Sequence, residues 1–172
     1  MPRRRVPHGD PAPSGGLAFL LAQVGAHSAA RFAERLAPLR VAPAHAGILR
    51  VLGQADGLSQ QALGEKLGVF PSRLVELLDG LEERGLVERR ASPTDRRRHA
   101  LYLTEKGREM LQQIDRVAGE HQDALCAALT EPERAQLEAL LRRIADEQGL
   151  TPGVHPGYRT LGSQQPKSRD RS

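Results

Sequence analysis

Residues 81–107 read LEERGLVERRASPTDRRRHALYLTEKG, and the hydrophobic period changes inside this one stretch. Up to Gly85 the spacing is helical, with Leu74, Leu77, Leu78 and Leu81 standing at i, i+3, i+4 and i+7. Beyond Gly85, Leu86-Val87-Glu88-Arg89 and His99-Ala100-Leu101-Tyr102-Leu103 suit extended strands, Leu101 and Leu103 alternating with Ala100 and Tyr102. The connection from Ala91 to Arg98 is turn-forming and basic. A helix is therefore followed by a two-stranded hairpin, over about residues 86–103, with arginines at its tip.

Upstream the pattern stays helical. Leu17, Leu20, Leu21, Val24, Ser28, Phe32, Leu36 and Leu39 recur at spacings of three and four, which predicts a long first helix over about 17–39. Pro38 and Pro43 bracket a break, and Ala46, Ile48, Leu49 and Leu52 suit a short second helix. Ser59 is placed to cap a third helix that buries Leu63 and Leu67 and ends at Gly68. Pro71 then fits the first turn of a fourth. Downstream, Thr104 caps a long helix over about 104–128. Thr130-Glu131-Pro132-Glu133 is a capping box that opens a last helix over about 130–148, with Leu137, Leu140, Leu141 and Ile144 inward and Gly149 as its stop.

A chain of 172 residues predicts one domain with tails. Pro- and Gly-rich residues 1–16 and the Ser, Gln, Pro and Gly mixture of 149–172 read as disordered basic tails around a folded body at 17–148. With three Phe, two Tyr and no Trp, the core must be mostly Leu, Ala, Val and Ile, which suits packed helices. The single cysteine excludes an internal disulfide and a cysteine-rich zinc site. No apolar run approaches the ~20 residues of a membrane helix, and no secretory segment follows Met-Pro-Arg-Arg-Arg, so a cytoplasmic protein is expected. There is no Gly-x-Ser-x-Gly, P-loop or dinucleotide fingerprint, and no enzyme or cofactor is expected. His27, His45, His99 and His121 lack the i, i+4 pairing of helical metal sites, and none is expected to hold a metal.

The net charge of +4 resolves by region. Residues 1–16 carry +2 and 151–172 carry +3, whereas the body is −1. Within that body, residues 84–98 alone carry +4 on an otherwise acidic frame. Cations concentrated in this way are an electrostatic footprint for a polyanion. Two short helices joined by a tight turn, then a hairpin with an arginine tip, make a winged helix-turn-helix. One helix fits the major groove, the helix across it sets the angle, and the basic hairpin reaches phosphates or a narrow minor groove. The expected fold is thus mainly α with a small two-stranded β wing, a winged helix-turn-helix lobe plus a helical dimerisation region.

At Pro43-Ala-His-Ala-Gly-Ile-Leu, Leu58-Ser-Gln-Gln-Ala-Leu-Gly-Glu-Lys-Leu-Gly, Leu81-Glu-Glu-Arg-Gly-Leu-Val, Asp95-Arg-Arg-Arg and Leu103-Thr-Glu-Lys-Gly, the sequence resembles the MarR family of bacterial transcriptional regulators. By motif the resemblance spans roughly 43–107. It implies a homodimer built on the first, fifth and sixth helices (about 17–39, 104–128 and 130–148). It also implies two lobes, each with a helix-turn-helix at about 58–84, on a palindromic double-stranded operator. A repressor is the expected sign of regulation, released by a small, often aromatic, effector or by cysteine oxidation. The candidate DNA contacts are Ser59, Gln60, Pro71, Ser72, Arg73 and Glu76 in the helices and Asp95, Arg96, Arg97 and Arg98 in the wing. The resemblance makes Arg97 the first choice among the arginines.

This sequence departs from the family at the fourth helix, where Glu76 replaces a common basic residue and Phe70 the usual Asp or Asn cap. Glu76 either accepts from a cytosine amino group or pairs with Arg73 one turn back. For the effector, a crevice between dimer helices and lobe is expected to include His27, Arg31, Phe32, His45 and Leu49, which otherwise simply pack the junction. Cys126, in an apolar run, is expected to be a packed core cysteine rather than a low-pKa redox switch. The acidic side of the fourth helix also suggests a rival use of the lobe, as a protein-contact module.

Overall fold

The computed structural model describes residues 15–55, 57–91 and 99–155. Helix α1 (Leu17–Leu36) passes through a 3-10 turn (Ala37–Leu39) into α2 (Pro43–Gln54). Strand β1 (Leu58–Ser59) leads into α3 (Gln60–Leu67) and α4 (Pro71–Glu83). Strands β2 (Val87–Ala91) and β3 (His99–Leu103) form the hairpin, and α5 (Glu105–Leu125) and α6 (Glu131–Glu147) complete the order. The expected tails lie mostly outside the described residues, and the hairpin tip at 92–98 lies wholly outside them.

The caps follow local chemistry. The Ser59 hydroxyl accepts from the Ala62 N–H at 3.1 Å, and the Thr130 and Glu133 pair closes the capping box of α6. Gly68 ends α3 at φ +62°, and the next amide, Val69 N–H, donates back to Gly64 O at 3.1 Å. This left-handed closure sets the tight turn between α3 and α4. The sheet is antiparallel in the order β1-β3-β2. Val87 faces Leu103 and Arg89 faces Leu101 across the hairpin, while Leu58 and Ser59 add a third, two-residue strand to the expected pair.

One apolar core joins α1, α2, α3, α4, the sheet and α5 through Leu36, Ile48, Leu49, Leu52, Leu63, Leu74, Leu78, Leu81, Leu101 and Ile114. Among the described residues no polar or charged side chain is buried in it. In α6, by contrast, no residue is buried.

The root of the hairpin is fastened to the start of α5. Three consecutive carbonyls beyond α4 are taken up there. Lys106 Nζ donates to Arg84 O at 2.8 Å, Thr104 Oγ1 to Gly85 O at 2.7 Å and Thr104 N–H to Leu86 O at 3.1 Å. The same Thr104 hydroxyl accepts from the Gly107 N–H at 3.0 Å, capping α5. Gly107 is buried against this turn, and a Cβ there would stand 2.0 Å from Leu86 O. The Thr-x-x-Gly spacing is thus explained by contact: a cap and a residue without a side chain, one turn apart.

Helix α2 has an unusual start. Ala42 at its N-cap has no side-chain acceptor, and only the reverse half of a capping box is made, His45 Nδ1 at N3 accepting from the Ala42 N–H at 3.4 Å. Burial, followed by the nearby Arg84 and Arg73 charges, holds the His45 pKa below its ordinary 6.5.

Two predictions follow from these contacts. Gly107→Ala forces backbone against backbone and is expected to destabilise the fold by about 1–3 kcal/mol, read as a lower urea midpoint. For His45, the folded pKa lies below the unfolded one. As pH falls below about 6.5, the unfolded chain therefore binds a proton that the folded chain refuses, and stability drops. The melting temperature should decline between about pH 7.5 and 5.5, and His45→Asn, which keeps an acceptor but does not titrate, should shrink that decline. An equal decline in both proteins would remove His45 from the account.

Candidate nucleic-acid interface

Helices α3 and α4 present the candidate reading surface. Leu74, Leu77, Leu78 and Leu81 anchor α4 to the core, so the helix turns Pro71, Ser72, Val75, Glu76 and Asp79 outward. Arg73 is half-buried, and its Nη1 donates to Glu76 Oε2 at 2.6 Å. In the free protein Glu76 therefore pairs with Arg73, the second of the two readings open from the sequence. Ser59 is engaged as the α3 cap, and Gln60 stands at the first residue of that helix, half-buried.

The basic stretch 84–98 divides sharply. The Arg84 guanidinium donates to Arg40 O at 2.6 Å and to Leu39 O at 3.1 Å, tying the elbow between α1 and α2 to the end of α4. Arg89 pairs with Asp79 at 2.8 Å and also with Glu82, which fastens β2 to α4. Arg90 pairs with Glu88 and lies over the Tyr102 ring, 5.0 Å from its centroid. These three arginines serve the fold. Asp95, Arg96, Arg97 and Arg98 lie outside the described residues.

The five expected effector residues are not brought together. Leu49 is fully buried within the core, which corrects its placement: no ligand reaches it without unpacking the lobe. His45 caps α2 beside Arg73 and Arg84. Arg31 is exposed and paired with Glu34, and His27 is exposed. Phe32 alone lines a groove between α1 and α5, of about 470 Å³, together with Gly25, Ser28, His121, Leu125 and His155.

His121 was missed among the candidates, although it sits on the inward stripe of its helix. Its Nε2 lies 3.0 Å from Ser28 Oγ and its ring 5.4 Å from that of Phe32. Desolvation first, then Arg35, Arg31 and His27, holds its pKa below the ordinary value. The available signal was polarity at core-facing positions, Ser28 on one helix and His121 on another. Cys126 also differs from expectation. It is half-buried at the C-terminal end of α5, beside Arg134 and Leu137 in a groove toward α6, and outside the core. Among the described residues no cluster of three His, Cys, Asp or Glu could hold a metal ion.

This geometry can be compared with known proteins. A profile of the MarR family matches residues 41–98. The protein assigned to transcriptional regulation of the hcr operon in Thauera aromatica is 38% identical over 112 residues, covering 65% of this chain and 68% of that protein. The HTH-type transcriptional repressor Rv2887 of Mycobacterium tuberculosis is 30% identical over 138 residues, 80% of this chain and 97% of its own. Its complex with DNA superposes at a TM-score of 0.67, covering 76% of this chain and 98% of that one at 27% identity. The transcriptional repressor CouR, bound to a 23-mer DNA duplex, superposes at 0.68 with 35% identity, covering 75% of this chain and 92% of that one. The helix-turn-helix, the fastened hairpin and these likenesses agree, and the chain belongs to the MarR family of transcriptional regulators.

Proposed function

We propose that the protein is a homodimeric, sequence-specific repressor that occludes a promoter by non-covalent binding to a palindromic double-stranded operator. The carrying observation is α4, anchored on one side by four leucines and open on the other, beside a hairpin whose root is fixed to α5. CouR and Rv2887, which share the fold, are each seen with DNA. Candidate contacts are Ser59, Gln60, Pro71, Ser72, Arg73 and Glu76, with Asp95, Arg96, Arg97 and Arg98 at the hairpin tip. A place in the cytoplasm fits a DNA-binding protein, and no helix among the described residues is long and apolar enough to cross a membrane. The acidic side of α4 gives little support to a protein-contact role, because Glu76 and Asp79 are each neutralised by an arginine of the same chain.

Dimerisation is supported by apolar surface that this chain leaves uncovered. Leu137, Leu140, Leu141 and Ile144 on α6 and Leu17, Leu20 and Val24 on α1 are exposed, and Leu17 and Leu21 share one groove with the α6 residues. A stripe of that size belongs in an interface. For the effector, the groove at Phe32, Ser28 and His121 supports a small aromatic molecule. Rv2887 is also seen with p-aminosalicylic acid, at 28% identity and a TM-score of 0.63.

Deleting residues 130–172 should leave a monomer or an aggregate in sedimentation experiments, and a well-folded dimer would contradict the assigned interface. Arg97→Ala should weaken operator binding by ~1–3 kcal/mol if it reads a base edge or narrow groove, or reduce the salt slope by about one if it neutralises a phosphate. Unchanged binding at two salt concentrations would take Arg97 out of the interface.

A further inference from the structure

The turn that opens α4 leaves an aromatic side chain in water. Phe70 is 69% exposed and Val75 38% exposed, and Pro71 is exposed as well. Pro71 and Val75 stand at i and i+4, neighbours on one helix face. With Phe70 they form an apolar strip along the first turns, and Ser72 and Glu76 form a polar row beside it. Phe70 occupies the N-cap, where Ser, Thr, Asp or Asn is preferred, and makes no side-chain cap bond. The helix that it begins therefore does not account for it. Phe70 also lines an open groove of about 790 Å³ between α3 and α4, together with Gln60, Gln61 and Gly64.

Several of the hydrogen-bonding groups around this strip are engaged within the chain. Arg73 donates to Glu76 at 2.6 Å, Asp79 accepts from Arg89 at 2.8 Å, and the Gln61 amide donates to Glu65 at 3.0 Å. Direct reading of guanine relies on Arg or Lys, and reading of adenine on an Asn or Gln amide. Beside the Ser72 hydroxyl, what the first turns of α4 offer is largely apolar surface. The apolar feature that a base pair shows in the major groove is the thymine C5 methyl. We propose that Phe70 and Val75 are specificity-determining residues that pack on thymine methyl groups, so that α4 selects thymine by shape and apolar contact. This rests on the DNA-binding reading above and names the base feature which that surface takes.

The test uses the full chain. The protein selects its operator from a random duplex pool, and affinity is then measured on copies carrying one dT→dU replacement at a time, which deletes only the methyl. At least one replacement in each half-site should weaken the wild type about fourfold, the ratio expected for one buried methyl-sized group. Each such replacement should lose its effect in Phe70→Ala or in Val75→Ala, whichever lacks the residue that packs on that methyl. Phe70→Asn supplies a capping side chain, so it keeps the helix start if Phe70→Ala loosens the fold, and it should be indifferent to uracil at the positions where Phe70→Ala is. The assignment fails if the wild type binds every uracil duplex as tightly as its thymine parent, or if the variants keep the wild-type sensitivity. A protein that selects no duplex at all would overturn the DNA-binding reading and this assignment together, whereas a selected operator indifferent to uracil overturns this assignment alone.

Discussion

The lobe depends on three successive carbonyl groups, those of Arg84, Gly85 and Leu86, and on the donors that meet them. A chain leaving a helix must place its last carbonyls somewhere, because burying them without a partner is costly. Here they are not left to water. Thr104 and Lys106 take all three, and the missing side chain of Gly107 lets α5 approach closely enough for them to do so. Arg84 extends the fastening in the other direction, to the elbow at Leu39 and Arg40. One short turn therefore holds together the end of α4, the root of the hairpin, the first turn of α5 and the approach to α2. The angle between α4 and the hairpin, on which any fit to a duplex depends, is set at this point.

Charge counting along the chain overstates what the surface offers. Arginines 84, 89 and 90 contribute half of the cations in the basic stretch, yet each is engaged with a carbonyl, a carboxylate or a ring of the same chain. Exposed pairs of this kind are worth little individually, ~0–1 kcal/mol. Arg89 gains by being forked between two carboxylates and by bridging two elements, so that its pairing fixes geometry more than it adds stability. In the proposed DNA-binding reading, these three arginines are then spent on the fold before any polyanion is met. A stretch can be basic by composition and still present few unengaged cations.

Features that a few neighbouring residues decide were legible in the sequence. Ser59 and Thr104 cap as their spacing implied, because a cap needs only a side chain and an amide two or three residues on, and Glu133 reaches back to the Thr130 N–H over the same short distance. The Arg73 and Glu76 pair was visible for the same reason. What escaped was decided at long range. Arg84 meets carbonyls 44 and 45 residues away, and Ser28 meets His121 across 93. Periodicity marks a face of a helix but not what lies against it, which is why Leu49 looked like a pocket residue and is a core residue. Strand β1 is only two residues long, too short for any alternation to appear, and exists because β3 has a free edge beside it. His45 escaped because Glu or Gln is the usual residue at N3 of a capping box, and a histidine there gives no such signal.

Helix α5 connects the two ends of this arrangement. It runs 21 residues, about 30 Å at 1.5 Å per residue. Its first turn is part of the fastening at Arg84 to Leu86, and His121, about 21 Å further along, meets Ser28 and Phe32 of α1. A hydrogen-bonded helix of that length tilts before it bends. A tilt of about 5° pivoted at the His121 contact would carry the first turn by roughly 2 Å, taking the hairpin root with it. Hydrogen bonds to a duplex tolerate only a few tenths of an ångström, their donor–acceptor distances lying within about 2.7–3.2 Å. Under the proposed effector reading, a molecule in this groove, which touches none of the candidate DNA contacts, would act on them through the pose of α5. The polar group there is a histidine whose pKa is lowered by desolvation and by Arg35, Arg31 and His27, and it is bonded to a serine, so the groove offers hydrogen-bonding groups as well as an apolar wall.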